Sequence, residues 1–78
     1  MFYIYALISQ LNSHLYIGQT NNIERRMKQH NSGKVLSTKA FIPYKMIYLE
    51  EFKERNSAVS REKKLKTAWG RKFLKKYI

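Results

Sequence analysis

The carboxylate that most needs an explanation in this sequence is Glu62. In the segment from 56 to 69, Ala58, Leu65 and Trp69 define an apolar helical stripe, and Glu62 projects from the middle of it. Removing an ionised carboxylate from water is costly unless a cation, a metal or a proton compensates. An ion pair with Arg26 or Lys66 answers that need as well as a metal ion does. The other acids do not converge: Glu50, Glu51 and Glu54 gather at the end of one strand, Glu24 belongs to a helix start, and the chain has no aspartate. Two-metal phosphodiester chemistry needs several carboxylates on adjacent ions. A lone acid can build a single magnesium site completed by substrate phosphate and water. Cysteine is absent, only two histidines occur, and there is no Gly-rich Lys-Ser/Thr loop, so catalytic zinc sites and nucleotide-hydrolysing motifs lack their parts.

A hydrolase built this way needs a base other than Asp, and Tyr5 and Tyr16 are the candidates. A phenol is a weak base at neutral pH, but a nearby cation or a metal-bound water network lowers its pKa or lets it pass a proton onward. Six tyrosines in so short a chain leave each of them open to a plain packing role as well. Arg26 and His30 are one helical turn apart and border the apolar pair Ile23 and Met27, whereas Arg25 points towards solvent. Arg26 either reaches a site on the neighbouring sheet or lays its stem over the core. His30 either joins that site or caps its helix.

Sixteen Lys and Arg against five acids give a formal charge of +11 over 78 residues. That charge attracts a polyanion over a Debye length of about 8–10 Å. Nucleic acid is the partner it implies. Lys34, Lys39 and Lys45 border a basic connection, and Arg61, Lys63, Lys64, Arg71, Lys72, Lys75 and Lys76 stud the later helices; all of these can neutralise phosphates, with Lys34, Lys39, Lys45, Arg61 and Lys64 the foremost candidates. Such contacts give affinity and salt dependence but little sequence readout. Phe41 and Tyr44 either stack on an unpaired base or anchor the connection to the core. The longest apolar run, Phe2 to Ile8, has neither the length of a membrane span nor the pattern of a signal peptide, so a cytoplasmic protein with no membrane partner is expected. Oligomeric state is left open.

Few elements are available to position these groups, because 78 residues make one domain and no disulfide can reinforce it. Phe2 to Ile8 predicts a strand buried on both faces, and Leu15 to Gly18 a second strand joined to it through the turn at Asn12-Ser13. An even-length loop places Tyr3, Tyr5 and Leu7 on the face of Tyr16, Gly18 and Thr20. Asn21 is the expected cap of a first helix over 22–30, with Glu24 completing a capping box. A polar connection over 34–43, long enough to be mobile, leads to a third strand over 44–52. Asn56 or Ser57 caps a second helix running to about Trp69, where Gly70 interrupts before a short helix that turns Phe73, Leu74, Tyr77 and Ile78 inward. The expected fold is α+β, ββαβα plus a short C-terminal helix, with a three-stranded antiparallel meander carrying the helices.

Together these residues resemble the GIY-YIG nuclease superfamily, over nearly the whole chain and most of all its short stand-alone bacterial members. Tyr3-Ile4-Tyr5 stands where the Gly-Ile-Tyr triplet is found, Tyr16-Ile17-Gly18 is the Tyr-Ile-Gly triplet, and Arg26, His30 and then Glu62 follow in order. The resemblance implies a metal-dependent endonuclease that hydrolyses DNA, branched or flapped, by a one-metal mechanism. Tyr5 is then general base or water-positioning group with Tyr16 beside it, Arg26 stabilises phosphate charge, Glu62 holds Mg2+ or Mn2+ on the leaving-group side, and His30 assists proton transfer or orients the phosphate. Two departures stand out: Tyr3 replaces the first glycine, and no Asn follows Glu62 although many relatives carry one there. The lack of attached domains implies selection by substrate structure, or by a protein partner that supplies specificity. The alternative reading is a non-catalytic nucleic-acid-binding module of the same fold.

Overall fold

A computed structural model describes residues 1–78. The elements run β1 (Phe2–Ser9), β2 (Leu15–Thr20), α1 (Ile23–Asn31), a 3-10 turn (Lys39–Phe41), β3 (Tyr44–Phe52), α2 (Arg55–Leu65) and α3 (Ala68–Lys75). No helix is long and apolar enough to cross a membrane.

The sheet is antiparallel with strand order β2-β1-β3, so it is not the expected meander. A meander would put β2 in the centre, but β1 is the strand whose residues from Ile4 to Ser9 are all buried. Such a strand needs a neighbour on each side and a layer on each face, whereas β2 and β3 are only partly buried and suit the edges. Ile4 and Ala6 pack with Ile17 beneath Ala58, Leu65 and Leu74 of α2 and α3. Tyr5 and Leu7 face the other way, towards Tyr44, Tyr16 and the α1 residues Ile23 and Met27. Tyr3 pairs with Thr20, Tyr5 with Gly18 and Leu7 with Tyr16, which is the alternation an even-length loop requires.

Polar side chains set the ends of these elements. In the β1–β2 turn the Ser9 hydroxyl accepts from the Leu11 amide at 3.0 Å and donates to the Phe41 carbonyl at 2.6 Å. Asn22, not Asn21, caps α1: its side chain accepts from the Arg25 amide at 3.1 Å, and Glu24 therefore falls too early for a capping box. α2 starts after Glu54 without a side-chain cap. The break between α2 and α3 lies at Lys66-Thr67, where Thr67 caps α3 by accepting from the Gly70 amide at 3.3 Å. Gly70 is inside α3, and a Cβ there would lie 2.0 Å from the Leu65 carbonyl oxygen. Its role is close helix approach, not helix interruption. Of the residues expected inward on α3, Leu74 is buried and Phe73 half-buried, while Tyr77 and Ile78 are exposed. The connection over 34–43 is tied down by buried Thr38 and by the Phe41 carbonyl.

Candidate active site

Four of the five residues singled out for chemistry meet on the α1 face of the sheet. Tyr5 is fully buried and lies across Gly18, where a Cβ would stand 2.7 Å from its hydroxyl oxygen. Only glycine leaves room for that phenol. Tyr5 Oη is 2.8 Å from His30 Nε2, and His30 Nδ1 is 2.9 Å from Thr38 Oγ1. Thr38 donates its own hydrogen to the Val35 carbonyl at 3.4 Å, which leaves it to accept from Nδ1–H. The network thereby assigns the tautomer in which Nε2 accepts the Tyr5 proton.

Burial, reinforced by the Arg26 charge, lowers the His30 pKa to about 4, so the imidazole is neutral at pH 7. Burial pushes the Tyr5 phenol up to about 12, against the opposing pull of the Arg26 guanidinium. Arg26 is half-buried, held by Gln29 Oε1 at 3.1 Å and within reach of both phenols, and Arg25 is exposed, as helix geometry predicts. Tyr16 is half-buried, its ring centroid 4.8 Å from that of His30 and 6.1 Å from that of Tyr5.

Glu62 approaches β2 from the opposite side. Its Oε1 accepts from Gln19 Nε2 at 3.3 Å and its Oε2 pairs with Lys66 Nζ at 2.9 Å. Gln19 pairs with Ile4, so strand alternation puts it on the α2 face while Tyr16 and Gly18 point to α1. The two sets can meet only around the free edge of β2. A cleft of about 590 Å³ follows that edge, with Tyr16 and His14 on one wall and Lys66, Arg71 and Lys75 on the other. No three His, Cys, Asp or Glu side chains cluster as a metal site, so an ion at Glu62 would depend on water and phosphate oxygens.

The other basic candidates lie elsewhere. Lys34, Lys39 and Lys45 are exposed, with Lys34 in a shallow depression along the outer face of α1. Arg61 pairs with Glu50 at 2.8 Å and lies over the Trp69 and Phe73 rings, while Lys64 Nζ sits 4.7 Å from the Trp69 centroid. Arg71 and Lys75 are among the cations expected from sequence to meet phosphates, whereas Lys66 is expected only as an ion partner of Glu62. His14, not singled out from sequence, stacks its ring on Phe41 at 4.4 Å and has its Nδ1 3.1 Å from Tyr44 Oη. Phe41 and Tyr44 thus anchor the connection to the sheet.

A family model described as the GIY-YIG catalytic domain matches residues 1–77. The chain belongs to the GIY-YIG family. Its relatives include a UPF0213 protein of Bacillus licheniformis, 42% identical over 77 residues that span 97% of this chain and 77% of that one. A UPF0213 protein of Clostridium perfringens is 43% identical over 63 residues, 80% of this chain and 67% of the relative. The solution NMR structure of a UPF0213 protein from Bacillus halodurans superposes with a TM-score of 0.58 at 27% identity, covering 95% of this chain and 82% of that one. It has the same α+β arrangement of a three-stranded antiparallel sheet with three helices. GIY-YIG membership implies a nuclease-type function directed at nucleic acid. The two GIY-YIG triplets lie on the paired strands β1 and β2 and meet at one position, Tyr5 from the first opposite Gly18 from the second.

Proposed function

We propose that this GIY-YIG domain is a cytoplasmic endonuclease that hydrolyses phosphodiester bonds in branched or flapped DNA with one magnesium or manganese ion. The observation that carries the proposal is the cleft along the free edge of β2, where a phenol from one face and three cations from the other line the same space. A strand laid there meets Tyr16, with Lys66, Arg71 and Lys75 to neutralise its phosphates. Tyr16 is the phenol that can touch an attacking water, because Tyr5 has no exposed surface. Tyr5 acts from behind it. The Tyr5 hydroxyl, donated to the neutral His30 Nε2, is held in one direction and fixes the Tyr16 phenol beside it, which positions the attacking water. Arg26, beside both phenols, stabilises the negative charge that develops.

Glu62 is the residue that would hold the ion. Its carboxylate already pairs with one cation, the Lys66 ammonium, which supports a cation site at this position. The ion would supply Lewis-acid stabilisation of the leaving oxygen. Lys66, displaced by it, would be free to meet the substrate phosphate. Target choice comes from DNA structure or from a partner protein.

The second reading, a binding module without catalysis, draws on the same ion pair: Glu62 is neutralised without a metal. Incubation of the purified chain with magnesium and a panel of flapped, branched, duplex and single-stranded DNA and RNA separates the two. Magnesium-dependent cutting that Glu62→Gln abolishes supports the nuclease. Salt-sensitive binding with no cutting of any substrate overturns it.

A further inference from the structure

The flank of α3 turned away from the cleft presents an aromatic stripe that the proposed chemistry does not use. Trp69, the single tryptophan, is 46% exposed and stacks on Phe73 with centroids 5.2 Å apart and planes 15° apart. Tyr77, 44% exposed, leans on Phe73 at 5.7 Å and on Tyr48 at 5.4 Å. Side chains four residues apart share a helix face, so these rings form one continuous surface. Cations border it. Lys64 Nζ lies 4.7 Å from the Trp69 centroid and Lys76 Nζ 4.3 Å from that of Phe73. The ion pairs of the molecule are Arg61–Glu50 and Lys66–Glu62, so neither Lys64 nor Lys76 is offset by an acid.

Cation–π contact explains where the lysines rest, but it does not explain why a large indole is left half outside the core. Ring faces covered only by the flexible side chains of cations match a ligand that offers both exposed rings and negative charge, because Lys64 and Lys76 can move from the rings to its phosphates. An unpaired nucleic-acid strand does: its bases stack on aromatic side chains while its phosphates meet the cations. A duplex keeps its base faces covered. A second copy of the chain would bring +11 against +11. Helix geometry also joins this flank to the cleft, because Arg71 and Lys75 project on one side of the buried Gly70 and Leu74 and the Trp69–Phe73–Tyr77 stripe on the other. A strand leaving the cleft can pass around α3 and reach the indole.

We infer that the Trp69–Phe73–Tyr77 flank is a platform for an unpaired nucleic-acid strand, holding the single-stranded arm of a substrate whose junction lies in the cleft. This inference depends on the nucleic-acid part of the proposed function and not on catalysis.

Fluorescence reads it directly, since all indole emission comes from Trp69. Titration with a short oligothymidylate in EDTA is expected to quench that emission to saturation. Trp69→Ala is expected to lower the ratio of single-strand to duplex affinity on the order of tenfold, the effect of losing one stacked base, and Trp69→Phe to recover most of it. The Phe variant keeps an aromatic packed on Phe73, so its recovery separates lost stacking from lost folding. Oligonucleotide binding, followed by anisotropy of a label on the DNA, without quenching would overturn the platform. So would an unchanged affinity ratio in Trp69→Ala, no binding of the oligonucleotide, or an emission change that follows protein concentration instead of DNA, which marks a seat for a second copy. Cutting in magnesium without quenching removes the platform and keeps the nuclease; quenching with a shifted ratio but no cutting does the reverse.

Discussion

The two faces of β2 are built on opposite terms. On the α1 face, Tyr5, His30 and Thr38 are buried and every polar atom among them has a partner, with no buried side-chain nitrogen or oxygen left unsatisfied anywhere in the molecule. On the α2 and α3 side, Lys66, Arg71 and Lys75 are exposed, and the half-buried acid Glu62 is neutralised by one of them. The first arrangement is preorganised and cannot change partners cheaply. The second can exchange its lysine for a metal or a phosphate at low cost. A small domain can thus keep water-positioning groups rigid and substrate-handling groups mobile by placing them on either side of one edge strand, with Tyr16 in the cleft at that seam and Glu62 joined to it through Lys66.

Changes at the seam break this division most severely. Tyr16→Phe and Glu62→Gln are each expected to lower the rate of magnesium-dependent cleavage on the order of a hundredfold or more, measured under single-turnover conditions, with thermal stability close to that of the parent. A matching fall in melting temperature would reassign both residues to structure.

Glycine substitutions test how tightly the rigid side is packed. Gly18→Ala pushes against the Tyr5 hydroxyl and Gly70→Ala against the Leu65 carbonyl. Overpacking costs about 1–3 kcal/mol, and Gly70→Ala is expected at the upper end despite the better helix propensity of alanine, because backbone gives way less than a side chain. Urea unfolding measures both. Gly18→Ala should also slow cleavage, since it displaces Tyr5.

Acid sharpens the comparison further, because the buried face holds the one histidine with a depressed pKa. His30 titrates near 4 in the fold against an ordinary 6.5, so the unfolded chain binds a proton over that window that the folded chain refuses. Stability contributed by neutral His30 is complete above pH 6.5 and is lost as pH falls towards 4, by on the order of 3 kcal/mol. Unfolding curves at steps across that range should show the loss, and His30→Gln should flatten it.

The smallest effect belongs to the open side. Arg71→Gln and Lys75→Gln should each reduce the salt slope of DNA binding by about one, with no change in stability beyond about 0.5 kcal/mol. An unchanged slope would remove the residue from the phosphate path.

Much of this arrangement could be read from residue order, and its gaps have physical causes. The bounds of β3, the two-sided burial of β1, the pairing of Tyr5 with Gly18, and the contrast between Arg25 and Arg26 follow from period and local chemistry, which a single sequence carries. Which strand is central depends on a long-range pairing of β1 with β3, and the local sequence of β3 does not announce whether it will pair with β1 or with β2. Gly70 looked like a helix breaker because local propensity is blind to the Leu65 backbone lying against it. The α1-face residues were found one by one from their chemistry. The cleft was not, because Lys66, Arg71 and Lys75 are ordinary surface cations until the edge of β2 is placed beside them.

The most direct test of a site assembled across that edge uses a paramagnetic ion. In the presence of a non-cleavable flapped DNA, Mn2+ should broaden the amide signals of Gly18, Gln19 and the middle of α2 around Glu62 before any others, and Glu62→Gln should abolish the pattern. Broadening centred on Glu50, Glu51 and Glu54, or persisting unchanged in the variant, would contradict a metal site at Glu62.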